Sequence, residues 1–419
     1  MSAVTVTGFK DDEDSHPIIT ERRGNVTGFR RVTKGLVAID TYGNEFKVPD
    51  FSIKDILSAI PKQCYERYWY KGMSYIFRDI FFAVLFGYAA SVLIPQVPNQ
   101  LLRGFLWFAQ AVLISLPYTG MWVMAHECGH QAFSPYGSLN DTVGWILHSY
   151  LLVPYFSWKY SHGKHHKATG HMTREMVFVP ATKKEFLDSR GVLHLSDIAI
   201  DAPISTLYDI LVRQLGGWWA HLLVNASGQK YPGYSGLQVS HFTPSSPIFE
   251  KGEYWFIVLS DIGIVCQLFV LYQWISHFGT FSFFVYWFLP YIFTNHWLVF
   301  ITYLQHTDMT LPHYEDKEWN FARGAGSTID RKFGFIGPFF FHDIIETHVL
   351  HHYVSRIPFY NARIGSKAIQ KVMGEHYRST DKSMWKSLWE ASRYCEFVDG
   401  DNGVLMFRNH NGLGVKPID

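Results

Sequence analysis

Eight histidines stand in three short clusters: His126 and His130 in HECGH, His162, His165 and His166 in HGKHH, and His348, His351 and His352 in HVLHH. Spacings of three and four residues put every ring of a cluster on one helix face, because helical side chains recur every 3.6 residues. Imidazole nitrogens converging in this way bind metal ions. A single pair of histidines four apart arises by chance on exposed helices, but two H-x-x-H-H segments and an H-x-x-x-H in one chain do not. His306, in ITYLQHT, directly follows a long apolar run just as His126 does, and is read as a ninth ligand. Nine nitrogens exceed one ion's coordination shell, so the pattern predicts two metal ions. Ligand type leaves iron, copper, nickel and zinc open. The neighbouring carboxylates Glu127, Asp343 and Glu346, together with His171 and His342, are candidates for orienting the ligand rings from behind.

The elements that must carry these clusters are set by hydropathy. The 419 residues are 48% hydrophobic, 17% aromatic and only 17% charged, with the apolar residues gathered into long runs, which predicts an all-α, polytopic membrane protein. Four spans are expected, at about 76–94, 104–125, 254–275 and 281–304. The short turns between the first and second and between the third and fourth make two hairpins. Each hairpin returns the chain to its starting side, so an N-terminal arm (1–70) and the segments 126–253 and 305–419 share one face, where a helical cap assembles all three clusters. Residues 71–419 then form one integral membrane domain. Lysines and arginines concentrate on that shared face, which makes it cytosolic, with both termini there. Val143–Phe156 is too short to span and reads as re-entrant or interfacial. Ile204–Val224 carries Asp209 and Arg213 and reads as an amphipathic helix lying on the membrane.

A net charge of +1 gives no support to nucleic-acid binding. Cys64, Cys128, Cys266 and Cys395 are far apart, which excludes a C-x-x-C zinc or redox motif. The acidic start, Lys10 to Asp14, is unlike a secretory signal peptide.

With its H-x-x-x-H, H-x-x-H-H and H-x-x-H-H boxes and a hairpin between the second and third, the chain resembles the membrane fatty-acyl desaturases. HECGHQAFS, LLVPYFSWKYSHGKHHKATGH, LVFITYLQHT, LPHYEDKEW and ETHVLHHYVSRIPFYNA are similar to the fungal and plant Δ12 (oleate) desaturases. The resemblance implies two iron ions, held by the box histidines and His306, that use O2 and two electrons to turn oleoyl into linoleoyl chains of membrane phospholipid. It further implies the endoplasmic reticulum membrane and cytochrome b5 with its NADH reductase as electron source; a homodimer is compatible with it. Two departures from related patterns matter. Thr302 stands where distant acyl-CoA desaturases have an asparagine that reaches a metal through water, and the H-P-G-G haem motif of fused cytochrome b5 domains does not occur.

Within this reading an ω3 desaturase, a bifunctional Δ12/ω3 enzyme or a hydroxylase would keep every ligand and change only the acyl slot. From other classes, a metal transporter would place its ligands inside the bilayer, and a zinc hydrolase would perform no redox chemistry. The clusters lie outside the expected spans.

Overall fold

The computed structural model describes residues 16–22, 25–32, 37–198, 203–410 and 415–416. Helix α1 (Ile53–Ala59) precedes a long antiparallel pair, α2 (Trp69–Leu93) and α3 (Gln100–Gly129). The turn between them is closed by Asn99, whose side chain accepts a hydrogen bond from the Leu102 amide as an N-cap. α4 (Gly137–Tyr150) and α5 (Tyr155–Ala168) follow, then α6 (Lys183–Arg190), α7 (Pro203–Val224), α8 (Tyr254–Phe283) and α9 (Leu289–His306). The C-terminal region is built from α10 (Phe321–Ala325), α11 (Ile336–Phe340), α12 (His348–Tyr353), α13 (Phe359–Met373) and α14 (Met384–Tyr394).

Among the described residues three helical segments are long and apolar enough to cross a membrane: Trp69–Gln96, Gln100–Gly129 and Lys251–His306. Their outer faces expose large apolar side chains, among them Phe77, Phe81, Val84 and Tyr88 on α2 and Val265, Phe269 and Tyr272 on α8, a surface suited to lipid rather than water. The third segment is 56 residues long, which as a straight helix would run to roughly 84 Å. Instead it folds back at Gly279, whose φ of 80° and ψ of 160° lie in a region that only glycine visits freely. Trp274 Nε1 reaches across this turn to Ser282 Oγ at 3.0 Å. Both ends of the segment consequently meet α5: Ser260 accepts from the Phe156 amide at 2.8 Å, and the His306 ring lies 4.7 Å from that of His165. The expected third and fourth apolar runs are thus the two arms of a helical hairpin.

The apolar stretch Val143–Phe156 is the end of α4, a break and the start of α5. α4 and α5 pack closely at Gly144, where a β-carbon would come within 2.3 Å of the Tyr155 ring. Ile204–Val224 is the single helix α7, packed on α9 and α14. Its outward face shows Ile204, Leu207, Tyr208, Leu211, Val212 and Leu215, the i, i+3, i+4 stripe of an amphipathic helix.

Short strands complete the helical fold. β1 (His16–Arg22) pairs with β2 (Asn25–Val32) and β8 (Val415–Lys416), and β3 (Val37–Ile39) with β4 (Glu45–Lys47). A third sheet, ordered β5 (Pro312–Tyr314), β7 (Val404–Arg408), β6 (Phe397–Asp399), joins the segment after α9 to the C-terminal region. Residues 37–48 of the N-terminal arm are folded onto this last sheet, with Phe46 packed on Val404 and Met406 and buried Thr41 donating to the Phe407 carbonyl at 2.7 Å.

Candidate metal centre

The nine histidines arrive on four helix ends. α3 carries His126 in its last turn and ends at His130, α5 presents His162, His165 and His166, α9 terminates at His306, and the short α12 holds His348, His351 and His352. The pitch that aligns rings within a cluster is the local cause. The packing of α3 on α9 and of α5 beside α3 brings the clusters together.

Two groups result. His126, His130, His162, His166 and His351 each bring a ring nitrogen within 4.8 Å of the others, and so do His165, His306 and His352. His348 joins the second group, its ring centroid 4.9 Å from that of His306 and 4.5 Å from that of His352. Three pairs of Nε2 atoms face each other directly: His166 and His162 at 3.1 Å, His348 and His306 at 3.0 Å, and His351 and His126 at 3.1 Å. Nδ1 of His126, His166 and His348 is buried with no hydrogen-bond partner among the described residues, as is Nε2 of His130 and His352. A set of buried nitrogens turned on one another rather than on donors is costly as bare protein and fits a group of ligands around cations.

Burial, reinforced by the neighbouring rings, holds His162, His166, His348 and His352 far below the ordinary imidazole pKa and pushes His351 down to about 3. These rings are neutral at physiological pH, which leaves a lone pair on each for a metal.

The residues expected to orient these rings are engaged elsewhere. The Glu127 carboxylate is 3.9 Å from His126 Nδ1 but accepts the Phe359 amide at 3.1 Å, capping α13. Asp343 forks onto Arg363 at 2.6 and 3.0 Å, and Glu346 accepts the Phe333 amide at 3.1 Å. His171 pairs with Asp316 at 2.7 Å, and His342 with buried Asp79 on α2 at 2.8 Å. The carboxylate that does touch a ligand ring is Glu175, which contacts His165 Nδ1 and also accepts the Met176 and Val177 amides at 2.8 and 3.0 Å. Thr169 Oγ1 lies 3.0 Å from His352 Nδ1. Glu175 escaped the sequence reading because no helical periodicity links it to His165; the chain turns back at Gly170, with φ of 69°. Thr302 Oγ1 bonds to the Leu298 carbonyl of its own helix, at 2.9 Å.

A cavity of about 400 Å³ abuts the cluster, lined by His126, His162, His165, His306 and His348 at one side. The rest of its wall is largely apolar, including Trp122, Trp158, Phe178, Trp218 and Leu298. This is the size and character of a site for a small apolar ligand or an acyl segment. The Trp158 ring stacks on His162 at 4.3 Å and Phe178 on His306 at 5.1 Å, so aromatic faces seal the ligand rings from solvent.

Residues 101–383 match the fatty acid desaturase family. The chain is 47% identical over 408 residues to an oleate hydroxylase of Claviceps purpurea, covering 91% of this chain and 85% of that one. It is 41% identical over 376 residues to a Δ12 fatty acid desaturase of Mortierella isabellina (88% and 93%). An omega-6 fatty acid desaturase of the endoplasmic reticulum from Brassica juncea is 37% identical over 372 residues (87% and 93%).

Proposed function

The chain belongs to the fatty acid desaturase family, and we propose that it is a Δ12 desaturase converting oleoyl to linoleoyl chains in membrane phospholipid. The observation that carries this reading is the meeting of nine histidines beside an apolar cavity, in a chain 41% identical to a Δ12 desaturase.

Two iron ions are the metals proposed, one ligated by His126, His130, His162, His166 and His351, the other by His165, His306, His348 and His352. Iron held there would supply O2 reduction, in which the oleoyl acyl chain loses two hydrogens to give a double bond and O2, with those hydrogens, two protons and two electrons, gives two waters. The protein's own part is to hold and to exclude. Neutral rings offer lone pairs, Glu175 fixes the tautomer of His165 so that Nε2 faces the centre, and Trp158, Trp122 and Phe178 keep water from the oxidising site.

The electrons are proposed to come from cytochrome b5 and its NADH reductase, and the site of action to be the endoplasmic reticulum. The four helices α2, α3, α8 and α9 are proposed to span the bilayer as two hairpins, with termini and histidines cytosolic, because His126 and His306 lie in the last turns of two apolar segments and the other seven histidines gather beside them.

Expression in a yeast that lacks polyunsaturated fatty acids tests the function. The expected product is a cis,cis 9,12 diene in phospholipid at the expense of oleate, with double bonds located by mass spectrometry. Iron-loaded protein that yields no oxidised acyl chain with donor and O2 present would overturn it. A second reading, hydroxylation of oleate, is favoured by the 47% identity to the Claviceps purpurea hydroxylase and is separated by the same assay, through a hydroxy acid in place of the diene.

A further inference from the structure

α7 has two faces with different tasks. Its outward stripe is apolar, while Arg213, Gly217 and His221, spaced four residues apart on the opposite face, line the cavity. Arg213 is the one arginine or lysine among the lining residues. Its guanidinium lies over the Tyr303 ring at 4.2 Å, with the Tyr303 hydroxyl also in reach, and donates to Ser392 Oγ at 3.2 Å; among the described residues no carboxylate pairs with it. The other charged group of the lining, Glu396, is taken by His410, whose Nδ1 and amide lie at 2.6 and 2.9 Å from it. A guanidinium has five N–H donors, so one held by a ring face and two hydroxyls keeps donors for an anion, and its planar fork suits phosphate oxygens.

The placement defines the anion. Arg213 and His221 are two turns apart on α7, about 12 Å along the axis, and His221 shares the cavity wall with His165. An occupant must have an anionic group at Arg213 and a reacting apolar segment near the histidines. The outward stripe of α7 places this site at a lipid surface, and a single cation matches a singly charged phosphodiester better than the several phosphates of an acyl-CoA.

We propose that Arg213 binds the phosphodiester of a membrane phospholipid whose acyl chain occupies the cavity, and so fixes how far from the head the chain is oxidised. This rests on the acyl-lipid desaturase reading above. Gly217, one turn on, lets α7 pack closely there: a β-carbon at this position would sit in van der Waals contact with Val299 and with the Arg213 stem, at 3.6 to 3.8 Å.

The test compares wild type, Arg213→Gln and Arg213→Lys in nanodiscs, with oleoyl supplied as phosphatidylcholine, as diacylglycerol or as oleoyl-CoA. A charge-assisted hydrogen bond to the head predicts that Arg213→Gln raises KM for phosphatidylcholine about tenfold or more while kcat stays within about twofold. The use of diacylglycerol should be unchanged, and Arg213→Lys should recover part of the loss. Equal losses on phosphatidylcholine and diacylglycerol, or no change on either, overturn the proposal, the former making Arg213 only a tie between α7 and α14. Wild-type turnover of oleoyl-CoA but not of phosphatidylcholine overturns the phospholipid as source. Native mass spectrometry of bound lipid gives a reading independent of turnover: Arg213→Gln should retain less phosphatidylcholine and as much diacylglycerol, and equal retention of both overturns the proposal. Lipid binding that follows this pattern without any oxidised product would leave the headgroup site standing and remove the desaturase reading.

Discussion

His342 Nε2 lies 2.8 Å from Asp79 Oδ2, joining α2 to the turn before α12 across 263 residues. Both side chains are fully buried, and Arg78 pairs with the other carboxylate oxygen at 2.8 Å. The turn they clamp is unusual, since His342 and Asp343 both have positive φ, 52° and 60°. Non-glycine residues hold that conformation only when their surroundings impose it. Five residues later comes His348, so Asp79 anchors the approach to the third cluster from a helix that carries no histidine of the centre. Removing the carboxylate leaves Arg78 and His342 without their shared acceptor. Asp79→Ala is expected to cost about 3–5 kcal/mol of stability, and Asp79→Asn, which keeps an acceptor oxygen, distinctly less. Thermal unfolding in detergent measures both, and equal melting temperatures for Ala and wild type would contradict the clamp.

Glu175 is expected to control how well the second group of histidines holds metal. Glu175→Gln keeps the shape but weakens the hold on His165 Nδ1, and loss of a carboxylate behind a ligand ring commonly lowers metal affinity about 10- to 100-fold. Iron titration of the metal-free protein checks this. Glu127→Gln, whose carboxylate caps α13 instead, should leave affinity within a few-fold of wild type.

Substituting alanine for any one of His126, His130, His162, His165, His166, His306, His348, His351 or His352 is expected to abolish diene formation while protein remains in the membrane. The two-group geometry makes a sharper claim. Loss of His352 should reduce iron per chain from two toward one, because its group has fewer rings to spare, whereas loss of one ring from the five-histidine group should lower activity more than stoichiometry. Elemental analysis of purified variants decides between this and a uniform loss.

Acid should destabilise the metal-free protein through histidines outside the centre as well. Burial lowers His221 and His313 to about 4, below the ordinary 6.5. Between those values the unfolded chain binds protons that the folded chain does not, so stability is full above pH 6.5 and is lost as pH falls toward 4. The loss is on the order of 3 kcal/mol per residue at the lower limit. Melting temperatures from pH 7 to pH 4 measure it, and His313→Asn should flatten the slope.

The helix-face spacing that makes HGKHH and HVLHH legible as ligand sets is local, and so is the apolar run that makes α3 legible as a helix crossing a membrane. Their convergence depends on helix packing, which spacing does not encode; His306 could be placed only by its analogy with His126. The supporting shell was illegible for the same reason. Glu127, Asp343 and Glu346 are near ligands in sequence, but Glu127 caps α13, Asp343 pairs with Arg363 and Glu346 accepts the Phe333 amide, whereas Glu175 reaches His165 by a reversal at Gly170. The reversal in the long helical stretch before His306 falls at Gly279, inside the turn between the two apolar runs, where glycine supplies the backbone freedom. The strands β5 to β7 are too short to leave a period-two signal, and β5 pairs with β7 across most of the C-terminal region.

His126 ends one membrane-type helix and His306 another, while their partners on α5 and α12 belong to the cap. A helix whose apolar length does not match the hydrocarbon thickness around it responds by tilting. Tilt of α3 or α9 moves its terminal ring relative to α5, so coordination geometry is mechanically coupled to the thickness of the surrounding bilayer. Since unsaturated chains pack into thinner and more fluid sheets than saturated ones, the product of the reaction alters the solvent that sets the spacing of the ligands, and the membrane's own composition becomes an input to the rate at which it is changed.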